Sequence, residues 1–302
     1  MSEMDSAEAA APPAPVVTAD PVEISDGVYV IPDGRVPLVP NVGIVLGDRA
    51  ALVVDTGMGP TSGARVLEHA RELAGDRPLL LTVTHFHPEH GFGAQVFEEA
   101  AVIVYNTAQR DELRQKGEGY VAMFRGFGDS VAEQLVDVRL VDPHLTYDGL
   151  SAEIDLGGRT ARLLTWGRAH TGGDQVVFLP GESVVFGGDL FETRMFPIVP
   201  YFPPDDTDVD GDRWIEVLGK VIELGPAIVV PGHGEVTNLA LVEAVRDYLV
   251  TMRDEVAAAK RDGLTADQAV ETLASAVRER HPDWENPEWI DFAIRCFHDQ
   301  AE

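Results

Sequence analysis

The chain has 302 residues, 45% of them apolar and 25% charged, enough to bury one large core or two smaller ones. Fifty-one acidic side chains face twenty-three Lys and Arg, a formal charge of −28. Such a surface repels phosphate backbones and anionic lipid, which sets nucleic acid and membrane aside and leaves a small molecule as the expected partner.

Residues 1–21, acidic and rich in Ala and Pro, read as a disordered tail. They lack the basic start and apolar run of a secretory signal, and no window has the eighteen or so apolar residues of a membrane span. The single cysteine, Cys296, excludes an intramolecular disulfide and fits a reducing compartment, so a cytoplasmic protein is expected. From Val22 the runs "GVYVIP", "NVGIVLG" and "ALVVDTG" read as short strands. A helix follows in "TSGARVLEHARELAG", where Val66, Leu67, Ala70 and Leu73 share a face and Gly75 suits the stop. "PLLLTVT" is a near-continuous apolar strand, as expected for one buried on both faces. "AVIVY" is the next strand, and 106–137 read as helical but irregular, interrupted at "GFGD".

Two hairpins come next, one turning through Gly157-Gly158 and one through Pro180-Gly181-Glu182. A proline-rich loop spans 195–212, then a helix from about Arg213 to Leu224 and a strand "AIVV". Beyond 238 the pattern is helical, with a Thr265…Gln268 capping box opening the second of three helices. Interleaved strands and helices followed by a helical extension argue a layered α/β (α+β) domain over 22–238, with 239–302 packed on its core.

The chemistry sits at the ends of apolar runs, where a rigid sheet holds loops. "THFHPEH" places His85, His87, Glu89 and His90 together. On an extended segment i and i+2 point the same way, and a turn at Pro88 can return His90 to the same cavity. Imidazole suits zinc, iron and similar metals, and carboxylate adds a harder ligand. His170 in "GRAHTGGD", Asp189 in "FGGDLF" and His233 in "PGHGE" each follow a strand-like run. Taken singly each also fits a turn or packing residue; their conjunction points to a metal site. Asp55 in "VVDTG" fits either a cap or turn, or a carboxylate orienting an imidazole. His69, His144, His281 and His298 have no motif context and read as surface or packing residues, as does Cys296. No Ser-His-Asp or Cys-His pair and no phosphate-binding glycine loop is evident.

These motifs, in this order from about 22 to 250, resemble the metallo-β-lactamase-fold superfamily of metallohydrolases. The resemblance implies a four-layer αββα sandwich and two adjacent metals, zinc in the first instance, with iron as the alternative. It places His85, His87 and His170 on the first metal, Glu89, His90 and His233 on the second, and Asp189 between them. Family members usually carry Asp where Glu89 stands; the longer side chain can reach the second metal from further back, shift it or weaken it. The implied reaction is attack by a metal-bridging hydroxide on an ester, thioester or lactone carbonyl, with Asp189 and Glu89 as the catalytic carboxylates and Glu89 able to move a proton. True β-lactamases of this fold resemble the chain at the histidines but place Cys or Ser at the Asp189 position, which demotes β-lactam hydrolysis to a side activity.

Two rival classes remain: a mononuclear-iron dioxygenase acting on a persulfide, which resembles the chain at His85, His87, His170 and Asp189, and a non-catalytic metal-binding protein. Residues 106–150 and 191–212 are expected to set substrate choice. In the second, Phe191, Met195, Phe196, Tyr201 and Phe202 beside Arg194 read either as an apolar pocket with one anion-binding group or as a loop packed on its own aromatic side chains. The terminal helices are expected to cap the site or form a homodimer contact.

Overall fold

The computed structural model describes residues 13–301. Seven strands form one sheet in chain order: β1 (Val22–Ser25), β2 (Val28–Ile31), β3 (Val42–Leu46), β4 (Ala51–Val54), β5 (Leu79–Thr82), β6 (Ala101–Asn106) and β7 (Leu145–Tyr147). The first four make an antiparallel meander, and β4 to β7 run parallel. Helix α1 (Gly59–Ala74) connects β4 to β5, a single turn α2 (Pro88–Gly91) follows β5, and α3 (Thr107–Arg125) with the short α4 (Asp129–Gln134) connects β6 to β7. The second sheet is built from β8 (Ser151–Asp155), β9 (Thr160–Leu164), β10 (Val176–Leu179), β11 (Val184–Phe186) and β12 (Ile228–Val230), in the order β12-β11-β10-β9-β8. Its pairs are antiparallel except β11 with β12.

Two-residue alternation assigns the layers. Val30, Val45 and Leu52 face Leu163, Val177 and Phe186 across the space between the sheets. Their neighbours Ile44 and Val53 point the other way, onto Val66 and Ala70 of α1 and Tyr120 and Phe124 of α3. From the second sheet Leu164, Phe178 and Val185 pack outward beneath α5 (Gly211–Leu224), α6 (Ala240–Arg261), α7 (Ala266–Arg280) and α8 (Trp289–Gln300). The result is helix, sheet, sheet, helix, with the terminal helices as part of the outer layer. Trp214 of α5 is fully buried and donates Nε1–H to the Leu190 carbonyl at 3.0 Å. Its truncation to Ala is expected to cost about 3–5 kcal/mol.

The local signals explain most boundaries. Gly75 closes α1 at φ +61, and Thr265 and Gln268 form the reciprocal cap that opens α7. The segment 106–137, expected to be irregular, is more ordered than its glycines suggest. Asn106 and Gln109 make a second capping box, and nineteen residues of helix follow before Gly126. The N-terminal expectation also needs correction for residues 13–21. Val17 is buried against α1, and its N–H donates to Ser62 Oγ at 3.1 Å, because the Val16-Val17 pair supplies an apolar anchor after the prolines. The remainder of that expected tail, 1–12, lies outside the described residues. Among the described residues no helix is long and apolar enough to cross a membrane.

Candidate metal centre

Parallel pairing aligns strand ends. Val54 pairs with Thr82 and Phe186 with Val230, so β4 and β5 in one sheet, and β11 and β12 in the other, each release their following loops at a common edge. Asp55 follows β4, the His85–His90 loop follows β5, Asp189 follows β11 and His233 follows β12. His170 arrives on the loop between β9 and β10. Polar side chains lock this meeting point. Gln109 Nε2 donates to the Val83 and Thr84 carbonyls at 2.8 and 3.0 Å, and the Gln175 N–H donates to the Thr84 carbonyl at 2.8 Å.

All seven residues predicted as ligands come together, in two buried groups. In the first, His87 Nδ1 lies 3.0 Å from His85 Nε2 and 3.2 Å from His170 Nε2. Bonds of about 2.0–2.1 Å to a tetrahedral zinc put neighbouring nitrogens about 3.3 Å apart, so the trio fits one cation. The second group is Glu89, His90, Asp189 and His233, with ligand atoms within 4.8 Å of one another. Asp189 faces both. Its Oδ1 is 3.2 Å from His90 Nε2 and 3.6 Å from His233 Nε2, while its Oδ2 is 4.0 Å from His85 Nε2 and from His170 Nε2. Both Asp189 oxygens, Glu89 Oε2 and His90 Nε2 are buried without a hydrogen-bond partner. Orphaned acceptors of this kind are costly in a dry interior, and a cation satisfies them. The longer arm of Glu89 therefore still reaches the second group.

The outward faces of the rings fix which nitrogen points inward. His90 Nδ1 lies 3.0 Å from Asp55 Oδ2, His170 Nδ1 is 2.9 Å from the Ile198 carbonyl, and His233 Nδ1 is 2.8 Å from the Val39 carbonyl. Each acceptor holds the Nδ1–H tautomer, which leaves the Nε2 lone pair for a metal. Asp55, at φ +68, is itself held by the Thr84 N–H at 2.7 Å. Asp55 thus sits against the outward nitrogen of His90, while Met58 occupies the cap position of α1. Opposite Asp189, Gly232 has no room for a side chain: a Cβ there would collide with Asp189 Oδ1.

Burial, followed by the neighbouring imidazoles, holds His85 and His87 well below the ordinary imidazole range. Burial lowers His170 to about 4. These three are neutral donors. Burial alone would lower His90 as well, but the Asp189 and Asp55 carboxylates outweigh it and hold that ring well above its usual value. The carboxylates call for a positive charge at this point, whether a proton or a cation. Burial pushes the Glu89 carboxyl up, opposed by His90.

A cavity of about 290 Å³ opens on His87, Glu89 and His233. Its walls come from Pro37 and Leu38 in the β2–β3 loop, Tyr120 and Phe124 of α3, and Trp289 at the start of α8. Of the expected pocket residues, Met195 and Phe202 line it, while Phe191, Arg194, Phe196 and Tyr201 do not. Along 198–202 the facing alternates: Ile198, Pro200 and Phe202 face the cavity while Val199 and Tyr201 face the core. Phe196 is buried against Tyr248 and Trp284, and Arg194 is exposed and paired with Glu235 at 2.7 Å. The histidines without motif context pack or bond locally: His144 Nδ1 accepts the Ile103 N–H at 3.0 Å, His298 Nε2 meets the Leu264 carbonyl at 2.9 Å, His281 stacks near Trp284, and His69 is buried.

Sequence reasoning missed two neighbours of the centre. Tyr120 stacks on the His87 ring at 5.0 Å and donates its hydroxyl to Asp206 at 2.8 Å. Its only sequence signal is a helical face carrying an aromatic. Glu192 is buried beside Asp189 and accepts the Ile198 N–H at 3.3 Å; burial, then Asp189, holds it well above the usual carboxyl range. The same Ile198 holds His170, so Glu192 steadies that ring at one remove.

Comparison with known proteins adds family context. The family model described as the metallo-beta-lactamase superfamily matches residues 35–233. The chain is similar to acyl-coenzyme A thioesterase MBLAC2 of Gallus gallus, 29% identical over 215 residues, covering 64% of this chain and 72% of that one. It is similar to the alpha subunit of 2,4-dinitroanisole O-demethylase of Nocardioides sp. (strain JS1661), 24% identical over 288 residues, covering 94% and 75%. Among solved structures, DIM-1 metallo-beta-lactamase superposes with a TM-score of 0.61 at 17% identity, covering 79% of this chain and 99% of that one, a likeness that speaks to fold alone.

Proposed function

The chain belongs to the metallo-beta-lactamase superfamily, and from that premise we propose that it is a metal-dependent hydrolase of small-molecule esters, thioesters or lactones. In this reading two cations, zinc foremost, are held by His85, His87 and His170 and by Glu89, His90, Asp189 and His233. The carrying observation is Asp189, buried and unpartnered, with one oxygen turned to each group. Bound there, zinc supplies a Lewis acid that polarises a carbonyl and lowers the pKa of water to about 7.

The chain's own residues do the rest. Asp189 offsets the positive charge and ties the two groups together. Asp55 and the Val39 and Ile198 carbonyls lock the imidazoles so that little reorganisation is needed. Glu89 serves as a ligand of the second group, and it lines the cavity where a leaving group would depart. The apolar walls exclude water and orient a substrate with its carbonyl toward His87, Glu89 and His233. A relative named as an acyl-coenzyme A thioesterase supports acyl chemistry. A relative named for 2,4-dinitroanisole, matched along 94% of this chain, supports small organic substrates more broadly.

Elemental analysis of freshly purified protein tests this reading. Two zincs per chain, with hydrolysis in a panel of esters, thioesters and lactones, is the expected result. One iron per chain with oxygen uptake on a persulfide would sink it in favour of the dioxygenase. The four-membered second group favours the two-metal outcome, since a mononuclear enzyme has no use for Glu89 and His233 as ligands.

A further inference from the structure

We propose that the cavity selects uncharged apolar substrates, and that the Glu285–Trp289 segment entering α8 imposes this selection. The proposal deepens the hydrolase reading by naming the class of substrate that its cavity takes.

The inner wall is apolar and aromatic. Leu38, Phe124, Ile198, Phe202 and Trp289 line it, and no free cation stands among the described lining residues. The one guanidinium that reaches the cavity is already committed. Arg35 donates from Nε to Glu235 at 3.1 Å and from Nη1 to Glu285 at 3.2 Å, and its Nη2 also meets Glu235. Arg194, the other nearby guanidinium, is held by the same Glu235 and lies outside the cavity. The remaining charges on the lining outside the ligand groups are carboxylates: Asp33, whose Oδ2 accepts the Gly234 N–H at 2.8 Å, and the exposed Glu285 and Glu288 at the rim.

An anionic substrate would therefore pass acidic side chains and lie along apolar walls that offer it no counter-charge outside the metal groups themselves. Desolvating a charge without a partner is strongly unfavourable, and the −28 surface adds long-range repulsion. An uncharged aryl or alkyl group loses nothing at the rim and gains apolar contact inside. The segment that does this is well anchored. The Phe196 N–H donates to the Glu285 carbonyl at 3.0 Å, and the Glu285 N–H to the Arg194 carbonyl at 2.9 Å. Trp289 packs on Phe292 and Phe202. The terminal helical region thus supplies a wall of the cavity as well as an outer layer of the fold.

A matched dye pair tests this without relying on turnover. N-phenyl-1-naphthylamine is uncharged, and 1-anilinonaphthalene-8-sulfonate is the same skeleton with a sulfonate. Fluorescence titration of the metal-loaded protein should show the neutral dye binding at least about tenfold more tightly. Trp289→Ala should weaken the neutral dye several-fold. The double variant Glu285→Gln/Glu288→Lys removes two carboxylates from the rim, leaves Arg35 with Glu235 as its one carboxylate partner and adds a cation, so it should narrow the preference while keeping neutral-dye affinity, which also reports that the variant is folded. Equal or tighter binding of the sulfonate would overturn the proposal, as would a preference that neither variant moves. If the dye preference holds but the protein cleaves no ester, thioester or lactone, the charge selection stands and the hydrolase reading falls.

Discussion

One half of the centre is three imidazoles with no carboxylate; the other is two imidazoles and two carboxylates. The trio carries no carboxylate and no charge of its own: its rings are buried and neutral, and His87 Nδ1 stands 3.0 Å from His85 Nε2 and 3.2 Å from His170 Nε2. The quartet is electrostatically unfinished. Its orphaned oxygens and the upward-shifted His90 show a site that holds more negative charge than its surroundings neutralise. Geometry is thus the stronger constraint in the first group and charge in the second. The trio should hold a borderline metal at low occupancy cost, while occupancy of the quartet should follow pH and the reach of Glu89.

Removing the shared carboxylate should erase the distinction. Asp189→Ala is expected to lower kcat/KM by roughly three orders of magnitude, about 4 kcal/mol of transition-state stabilisation, with metal content falling at both groups. Steady-state kinetics alongside elemental analysis check this; full activity with a single metal per chain would refute the bridging role. Breaking the halves separately comes next. His87→Ala should empty the trio and cost roughly a hundredfold or more in rate, yet leave about one metal per chain in the quartet. Hydrolysis that persists unchanged in this variant would show that the site lies elsewhere.

A subtler change sharpens the contrast. Asp55→Asn keeps the shape of the acceptor that holds His90 but removes its charge. Metal affinity of the quartet should drop about 10–100-fold and that of the trio much less, read by competition with a chelator. Equal losses at both groups would argue that Asp55 serves the fold and not the ring.

A separate contrast concerns stability of the metal-free protein in acid. His170 is held at about 4 in the folded state, against an ordinary 6.5 when unfolded. Above pH 6.5 both states carry a neutral ring. As pH falls from 6.5 toward 4 the unfolded chain takes up a proton that the folded one refuses, so stability declines by about 3 kcal/mol over that window. His85 and His87, shifted the same way, add to this fall, so urea titrations between pH 7.5 and 4.5 should show it and His170→Gln should make it shallower without abolishing it. His90 acts in the opposite sense, because its upward shift favours the folded state as acid protonates it.

Much of the centre was legible because its ligands stand where apolar runs stop. "PLLLTVT" before His85 and "AIVV" before His233 announce buried strands, and a polar residue just past a buried strand lies at a sheet edge. The layers were legible only through the family resemblance, since alternation assigns faces but not which sheet answers which. The pocket was legible only in part, because residues along the 191–202 segment take opposite faces: Met195, Ile198, Pro200 and Phe202 line the cavity, and Phe196, Val199 and Tyr201 face the core. Tyr120, Glu192 and Trp289 gave no motif, because each reaches the site through contacts between distant segments that spacing along the chain does not encode.

The ligands also have a bearing on how the molecule is made. They run from His85 on the first sheet to His233 on the second, so no stretch synthesised early can hold a cation with the full set. Both sheets must form and dock before the groups close, a long-range event of the kind that slows folding. A cation held by the full set would therefore bind only after the sheets dock. It would act as a late staple across the sheet interface, and its contribution to stability would grow with free metal concentration. In a cell short of metal, this chain would reach its folded shape without the staple and remain the more easily unfolded for it.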